Sequence, residues 1–328
     1  MEKTEIEVEI NPKGFESEYL KCLNVCFGKW GDRRRYAWAF ERSVGESKTD
    51  LLILRKENQL LAGSAVSYRK VILPNGKTID VGIMTGSWTL PESRGQRCFS
   101  RIIQESAHLT NKKNGAFLLA FVTAENASYR RLAEAGSALF PTYYLVSTSD
   151  TPRPSRSLAV ASVSNQNILK KIIGILESAQ KNKIRFAYPN LESWRSQFLN
   201  RPTSTELLAI GDHGWCVIEK GETTDRVQLI VAADARFTDC VASLLARSLD
   251  LGRKLFIFTS SSEEHKKYQQ FGFQTVPGYL TALVTNPVQL GNALGIDKFW
   301  NFRDSMPIAD PRSPWFLGEW DIHSGDRM

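Results

Sequence analysis

Arg94, Gly95, Gln96 and Arg97 stand in the run Pro91-Glu92-Ser93-Arg94-Gly95-Gln96-Arg97-Cys98-Phe99-Ser100, between an apolar stretch and an amphipathic one. Two guanidinium groups flanking a glycine put positive charge where the chain can bend sharply. If this turn opens a helix, the first backbone N–H groups lack intrahelical partners and the helix dipole adds positive potential there. A phosphate is then stabilised by groups the fold must expose anyway. The chemistry suited to this spacing is the grip of a pyrophosphate, and hence of a nucleotide-type cofactor.

The flanking segments have the required types. Ile83 to Leu90 reads as a strand, and Phe99, Ile102, Ile103, Ser106 and Leu109 recur at three- and four-residue spacings, the single apolar stripe of a helix lying on a sheet. Further on, Ala116 to Thr123 reads as a second strand, followed by Asn126, a helix through Tyr129 and Leu132, and the pair Gly136-Ser137.

These two stretches resemble the GNAT superfamily of acyltransferases, the GCN5-related N-acetyltransferases. The family's core motif runs from a strand through Val-x-Pro-x-x-Arg-Gly-x-Gly-x-Gly/Ala into a helix. Thr89, Pro91, Arg94 and Gly95 match it, Arg97 and Phe99 stand where the later glycines usually do, and Ser137 replaces the usual aromatic residue of the second element. The resemblance covers residues 1 to 150.

It implies a mixed, mostly antiparallel sheet in which two parallel strands, here about 82 to 90 and 116 to 123, splay apart to admit the pantetheine arm of acetyl-CoA or another acyl-CoA. On that reading, backbone groups of Trp88, Thr89 and Leu90 pair with the pantetheine amides, and Arg94, Gly95, Gln96, Arg97, Cys98 and Phe99 hold the pyrophosphate. A backbone N–H near Gly86 polarises the thioester carbonyl, and Asn126 bonds the cofactor side. Proton transfer falls to Asp80 or Glu125 as base and Tyr129 as acid; Leu132 and Ala133 occupy the positions where many members carry their acid tyrosine.

The second half repeats the first. Thr205-Glu206-Leu207-Leu208 follows Trp194 as Thr49-Asp50-Leu51-Leu52 follows Trp38, and Gly272, Pro277 and Tyr279 are spaced as Gly136, Pro141 and Tyr143. The copies are unequal. Where the first has Pro91 to Arg97, the second has Ala232-Ala233-Asp234-Ala235-Arg236, with no glycine turn and with Asp234 and Asp239 at the helix start, which repel a diphosphate. A run rich in Ser, Thr and Pro from Ser147 to Ser157 marks a linker, and a helix through Ile168, Ile172, Ile173 and Leu176 has spacings suited to packing between the halves. The fold expected is therefore α/β (α+β): two tandem GNAT-like domains, each a mixed, mostly antiparallel sheet flanked by helices. Residues 1–150 form the acyl-CoA-binding domain; residues 151–328 form a degenerate domain that helps build the acceptor cleft.

Composition bounds the function. The 328 residues carry a net charge of +7, but Arg33-Arg34-Arg35 is the sole basic run, which counts against a nucleic-acid partner. That run opens a helix expected to lie over the substrate mouth, with Arg35 and Trp38 as substrate residues. No apolar run approaches the roughly 20 residues that span a bilayer, and the acidic, alternating start is strand-like and not a signal peptide. The expectation is a cytoplasmic chain with no membrane partner. Cys22, Cys26, Cys98, Cys216 and Cys240 form no Cys-x-x-Cys pair and read as core thiols, and neither they nor the four histidines imply a metal. The leading reading is acetyl transfer to an amine of a small molecule, such as an amino sugar or a natural-product intermediate. The alternatives are a decayed pair serving as a binding scaffold and a transferase using aminoacyl-tRNA.

Overall fold

The computed structural model describes residues 5–42, 44, 47–148, 150–163, 166–212, 214–296, 308–313 and 315–327; the sequence from Phe299 to Ile322 is aromatic enough to be expected to dock, and its Phe299 and Trp300 lie outside the described residues. The chain opens with β1 (Glu7–Ile10), α1 (Glu16–Phe27), α2 (Arg33–Tyr36) with a π-helical turn over Ala37–Glu41, β2 (Asp50–Lys56), β3 (Gln59–Ile72), β4 (Thr78–Thr89), α3 (Cys98–Lys112), β5 (Phe117–Thr123), α4 (Ala127–Glu134) and β6 (Ala138–Val146). It continues with β7 (Val160–Ser162), α5 (Gln166–Ala179), β8 (Arg185–Phe186), α6 (Leu191–Phe198), β9 (Thr205–Ile210), β10 (Gly214–Glu219), β11 (Thr224–Ala232), α7 (Asp234–Asp250), β12 (Lys254–Thr259), α8 (Ser262–Gln269), β13 (Gln274–Val284) and α9 (Pro287–Leu294).

With the two-residue β8 set aside, the second series runs in the order of the first, β1 to β6 matching β7 to β13 helix for helix. The sequence landmarks fall at equivalent places. Trp38 and Trp194 precede β2 and β9, and Gly136 and Gly272, both at positive φ, lead into β6 and β13.

The contacts divide the chain into two compact units, each discontinuous: Met1–Leu139 with Leu280–Leu317, and Phe140–Tyr279 with Gly318–Met328. In the first, β1, β2, β3 and β4 pair antiparallel in sequence and β4 pairs β5 in parallel. In the second, β7, β9, β10 and β11 pair antiparallel and β11 pairs β12 in parallel. The last strand of each series completes the other unit. β6 pairs antiparallel with β12, while β13 lies beside β5, where the Thr285 N–H donates to the Ala116 carbonyl at 3.0 Å. A linear cut at residue 150 does not represent this exchange.

Burial explains the layers. β3 is buried almost throughout, from Leu61 to Arg69, so it reads as a near-continuous run and not as an alternating one, the mark of a strand covered on both faces. One cover is α1, whose buried Tyr19, Cys22 and Leu23 share a helical face and meet Ile53, Ala65 and Trp88. Another is α3, which packs on β3 and β4 through Cys98, Ile102, Ile103, Ser106, Leu109 and Thr110. That face is one step round from the expected stripe, because Cys98 and not Phe99 takes its first place. The helix expected between the halves, α5, instead buries Leu169 and Ile172 against Trp194, Phe198, Leu207, Val217, Leu229 and Val231 in the core of the second unit. Among the described residues, no helix is long and apolar enough to cross a membrane.

Candidate functional site

The parallel pairing of β4 with β5 covers only Val81↔Phe117, Gly82↔Leu118 and Ile83↔Leu119, although the strands run on to Thr89 and Thr123. Beyond that point β4 has no ladder with β5, and a notch opens between them. Its local cause is a bulge: Ala65 faces Thr85 and Gly63 faces Trp88, so Gly86 and Ser87 together oppose Ser64, whose hydroxyl lies 2.7 Å from that of Ser87. An extra residue bends its strand and breaks the ladder locally. Val81 to Met84 are buried, whereas Thr85, Gly86 and Ser87 are partly exposed, so β4 meets solvent where the bulge begins.

The bulge is held from the α1 side. Gly86 sits at φ 55°, a left-handed conformation that favours glycine, and its carbonyl accepts the Tyr19 hydroxyl at 3.0 Å. Burial raises the Tyr19 phenol well above its ordinary value of 10, so at neutral pH it is a fixed donor and not a base. The Tyr19 ring makes edge contacts with Phe15, Tyr36, Phe40 and Trp88. Phe40, delivered by the π-helical turn, closes the space over Gly86: a Cβ there would lie 2.8 Å from the Phe40 Cζ.

Of the three residues expected to offer backbone to an extended ligand, one faces the notch. The Leu90 N–H donates to the Leu61 carbonyl at 3.0 Å, and Trp88, two residues before it, turns its backbone to β3 in the same way. Thr89 turns the other way, and its carbonyl accepts the Cys26 thiol at 3.4 Å.

After β4 the chain makes a single 3-10 turn over Pro91–Ser93. Gly95 at φ 84° and Arg97 at φ 62° then lead into α3 at Cys98. Successive N–H groups in such a turn make a concavity for anions. Arg94, Gly95, Gln96 and Arg97 are exposed, and no side chain caps α3. Two guanidiniums and the unpartnered first-turn amides of α3 therefore stand together in solvent at the end of the notch. Cys98 is buried with its thiol 3.8 Å from the Ser93 carbonyl, and Phe99 is half-buried, so these two can offer this turn only backbone or a ring edge.

At the far side of the notch Asn126 caps α4, its Oδ1 accepting the Ser128 N–H at 3.0 Å, with Glu125 exposed beside it and Tyr129 half-buried in the first helical turn. Asp80 is not brought here. It faces Lys70 across the β3 ladder, 4.0 Å from its Nζ, at the other end of β4, about 20 Å along the strand from Gly86 at 3.3 Å per residue. Arg35 is exposed, its guanidinium 5.1 Å from the Trp30 ring centroid; Trp38 is half-buried, with the Arg42 guanidinium 3.8 Å above it. Both belong to the element that seats Phe40 on the bulge. Arg33 is held by Glu41 in a two-pronged pair at 2.9 and 2.6 Å.

Tyr19, Phe40 and Cys26 are the site residues missing from the sequence reading. Cys22, Cys98, Cys216 and Cys240 are buried, but Cys26 is half-buried against Thr89, where burial raises its thiol above the ordinary value and Arg94 opposes the rise. The spacing of Tyr19, Cys22, Leu23 and Cys26 is that of one helical face, and this signal was available in the sequence. In the second unit α7 begins with Asp234, which is almost wholly exposed, and no side chain caps it.

No family model and no curated protein matches the sequence. Solved structures do match its fold. A GCN5-related N-acetyltransferase from Kribbella flavida is 13% identical, with 88% of this chain and 73% of that one covered at a TM-score of 0.60. One from Anabaena variabilis is 14% identical over 88% and 75%, with a TM-score of 0.63. A tandem GNAT protein from the clavulanic acid biosynthesis pathway is 10% identical over 86% and 99%, with a TM-score of 0.60. The likeness establishes the fold, that of tandem GNAT proteins.

Proposed function

We propose that the first unit transfers an acyl group, in the simplest case acetyl, from acyl-CoA to an amine of a small molecule in a cytoplasmic reaction. The observation that carries this reading is the continuity of the notch with the exposed turn at the start of α3: a bulged, solvent-facing strand edge leads straight to two arginines and a bare helix N-terminus. The fit is chemical. Pantetheine is an amide chain suited to the outward-facing edge of β4 at Thr89, and a pyrophosphate suits Arg94, Arg97 and the amides of Gly95 to Phe99. When bound, the coenzyme supplies an acyl carbonyl activated as a thioester.

The chain's own residues would then bind and orient. Tyr19 and Phe40 hold the bulge at Gly86 fixed, so backbone dipoles there are pre-aimed and need no reorganisation. Asn126 fixes the start of α4 and thereby the position of Tyr129, the proton donor of this reading, while Glu125 is the carboxylate candidate at that end of the notch. Much of the rate would come from holding amine and acyl carbon together.

Calorimetric titration with acetyl-CoA tests the reading. Sub-millimolar binding should weaken at least about tenfold in Arg94→Ala, the loss expected for one charge-assisted hydrogen bond. An unchanged affinity removes the turn from the site. Coenzyme binding without thiol release against any of a panel of amines would favour the scaffold reading.

A further inference from the structure

In the second unit β11 and β12 pair in parallel only at Thr224↔Lys254, Asp225↔Leu255 and Arg226↔Phe256, and then have no ladder, as β4 and β5 do. β6 occupies one edge of β12, from Phe256 to Thr259. The other edge is met by a segment from the end of the series: Thr259 makes an antiparallel bridge with His323. The turn that follows, Ser324–Asp326, lies against β11, where the space for a Cβ on Gly325 is closed by the Gln228 carbonyl at 3.1 Å and the Phe198 ring at 2.3 Å. Gln228 is itself a bulged residue, since Val227 faces Ile218 and Leu229 faces Val217. The segment therefore enters between the parted strands and rests on a bulge, as a ligand of the first unit would rest on Gly86.

The segment is received as a ligand would be, group by group. The Ile322 N–H donates to the Ser260 hydroxyl at 2.9 Å, and that hydroxyl donates to the Trp320 carbonyl at 2.7 Å. Gln197 Nε2 donates to the Gly325 carbonyl at 2.6 Å, and the Tyr188 hydroxyl donates to Asp326 Oδ1 at 2.5 Å. The Arg327 guanidinium lies 4.6 and 4.4 Å from the Tyr144 and Phe258 ring centroids. Ile322, Ser324, Gly325 and Asp326 are buried.

We propose that the parted β11–β12 pair is a binding site for a short peptide, filled by the chain's own segment Ile322–Arg327, which crosses it as one strand bridge at His323 and one 3-10 turn over Ser324–Asp326. A peptide suits this notch and a diphosphate does not: Asp234 stands where the first unit has its arginine-glycine turn, while strand edges pair with any amide chain. The proposal does not depend on the activity of the first unit.

Hydrogen exchange of the full chain tests it. The amides of Ile322 to Arg327 should exchange at least about 100-fold more slowly than in a synthetic peptide of residues 319–327, the behaviour of segments that open only with a cooperative unit. Exchange within about threefold of the free peptide overturns the proposal. Gly325→Val, which drives a side chain into Phe198, should abolish that protection and let the fluorescently labelled 319–327 peptide bind saturably to the variant but not to the wild type. A variant whose segment stays protected, or a wild type that binds the peptide as well as the variant does, also overturns it. If the variant does not fold, exchange in the wild type decides.

Discussion

Gly86→Ala is the substitution that probes the notch most directly. Two costs are visible at the position. A residue with a Cβ at φ 55° carries about 1–2 kcal/mol of left-handed strain, and the new carbon would lie 2.8 Å from the Phe40 Cζ inside a packed aromatic cluster, where overfilling costs about 1–3 kcal/mol. Loss of glycine's freedom in the unfolded chain returns roughly 0.4–1 kcal/mol. The expected destabilisation is about 2–4 kcal/mol, and it divides: Phe40→Leu should relieve the steric part and leave the strain. Urea unfolding of wild type, both single variants and the double variant, read through amide exchange in β4, gives the coupling, expected at about 1–2 kcal/mol. Acetyl-CoA affinity should fall with the bulge's geometry. A Gly86→Ala chain within about 0.5 kcal/mol of wild type, or additive effects of the two substitutions, would refute the claim that Phe40 seats the bulge.

Arg97 separates conformation from charge, because it is a non-glycine residue at φ 62° in an exposed turn. Arg97→Gly should leave stability unchanged or raise it by up to about 1 kcal/mol while weakening acetyl-CoA binding about two- to fivefold, the worth of an exposed ion pair; calorimetry and urea unfolding read the two independently. Burial raises the Glu264 carboxyl above its ordinary value of 4.5, against the pull of His323, while the Thr259 hydroxyl bonds it at 2.7 Å. Its folded value being the higher one, its contribution to stability is complete below 4.5 and is lost as pH rises through the folded value. Glu264→Gln should therefore match wild type in acid and gain on it progressively above pH 4.5, as followed by unfolding midpoints across pH.

The elements of the first unit were legible because their periodicities are local. The stripe from Ile102 to Leu109 gave α3, and the apolar run before Pro91 gave β4. What lay outside reach was set by contacts distant in sequence. The left-handed conformation of Gly86 is held by Tyr19, 67 residues away, so nothing beside Gly86 announces it. Asp80 was placed on the correct strand but at the wrong end for chemistry, since residue type does not tell where two parallel strands stop pairing. The start of the α3 face slipped by one because Phe99 is the larger apolar residue while Cys98 is the one buried. The exchange of β6 and β13 was invisible for a related reason. Each is the final strand of a repeat, and either could close either sheet.

Duplication creates a difficulty that the two units meet in opposite ways. Parted parallel strands leave backbone N–H and C=O groups without ladder partners, and such groups must be wet or be paired by something else. In the first unit the residues just past the pairing, Thr85, Gly86 and Ser87, are partly exposed, so water can meet the edge and a dissolved ligand can displace it. In the second unit the corresponding residues Val227, Gln228, Leu229 and Ile230 are all buried, with Gln228 at 2% exposure, and Gly325 lies on the bulge. Opening that notch would mean breaking the hydrogen bonds of Ile322, Gly325 and Asp326 before any ligand bond forms, whereas the first notch requires only the release of solvent. On the proposed function, this difference in exposure leaves the first unit's notch as the one open to a dissolved ligand, independently of the opposed charges at the starts of α3 and α7.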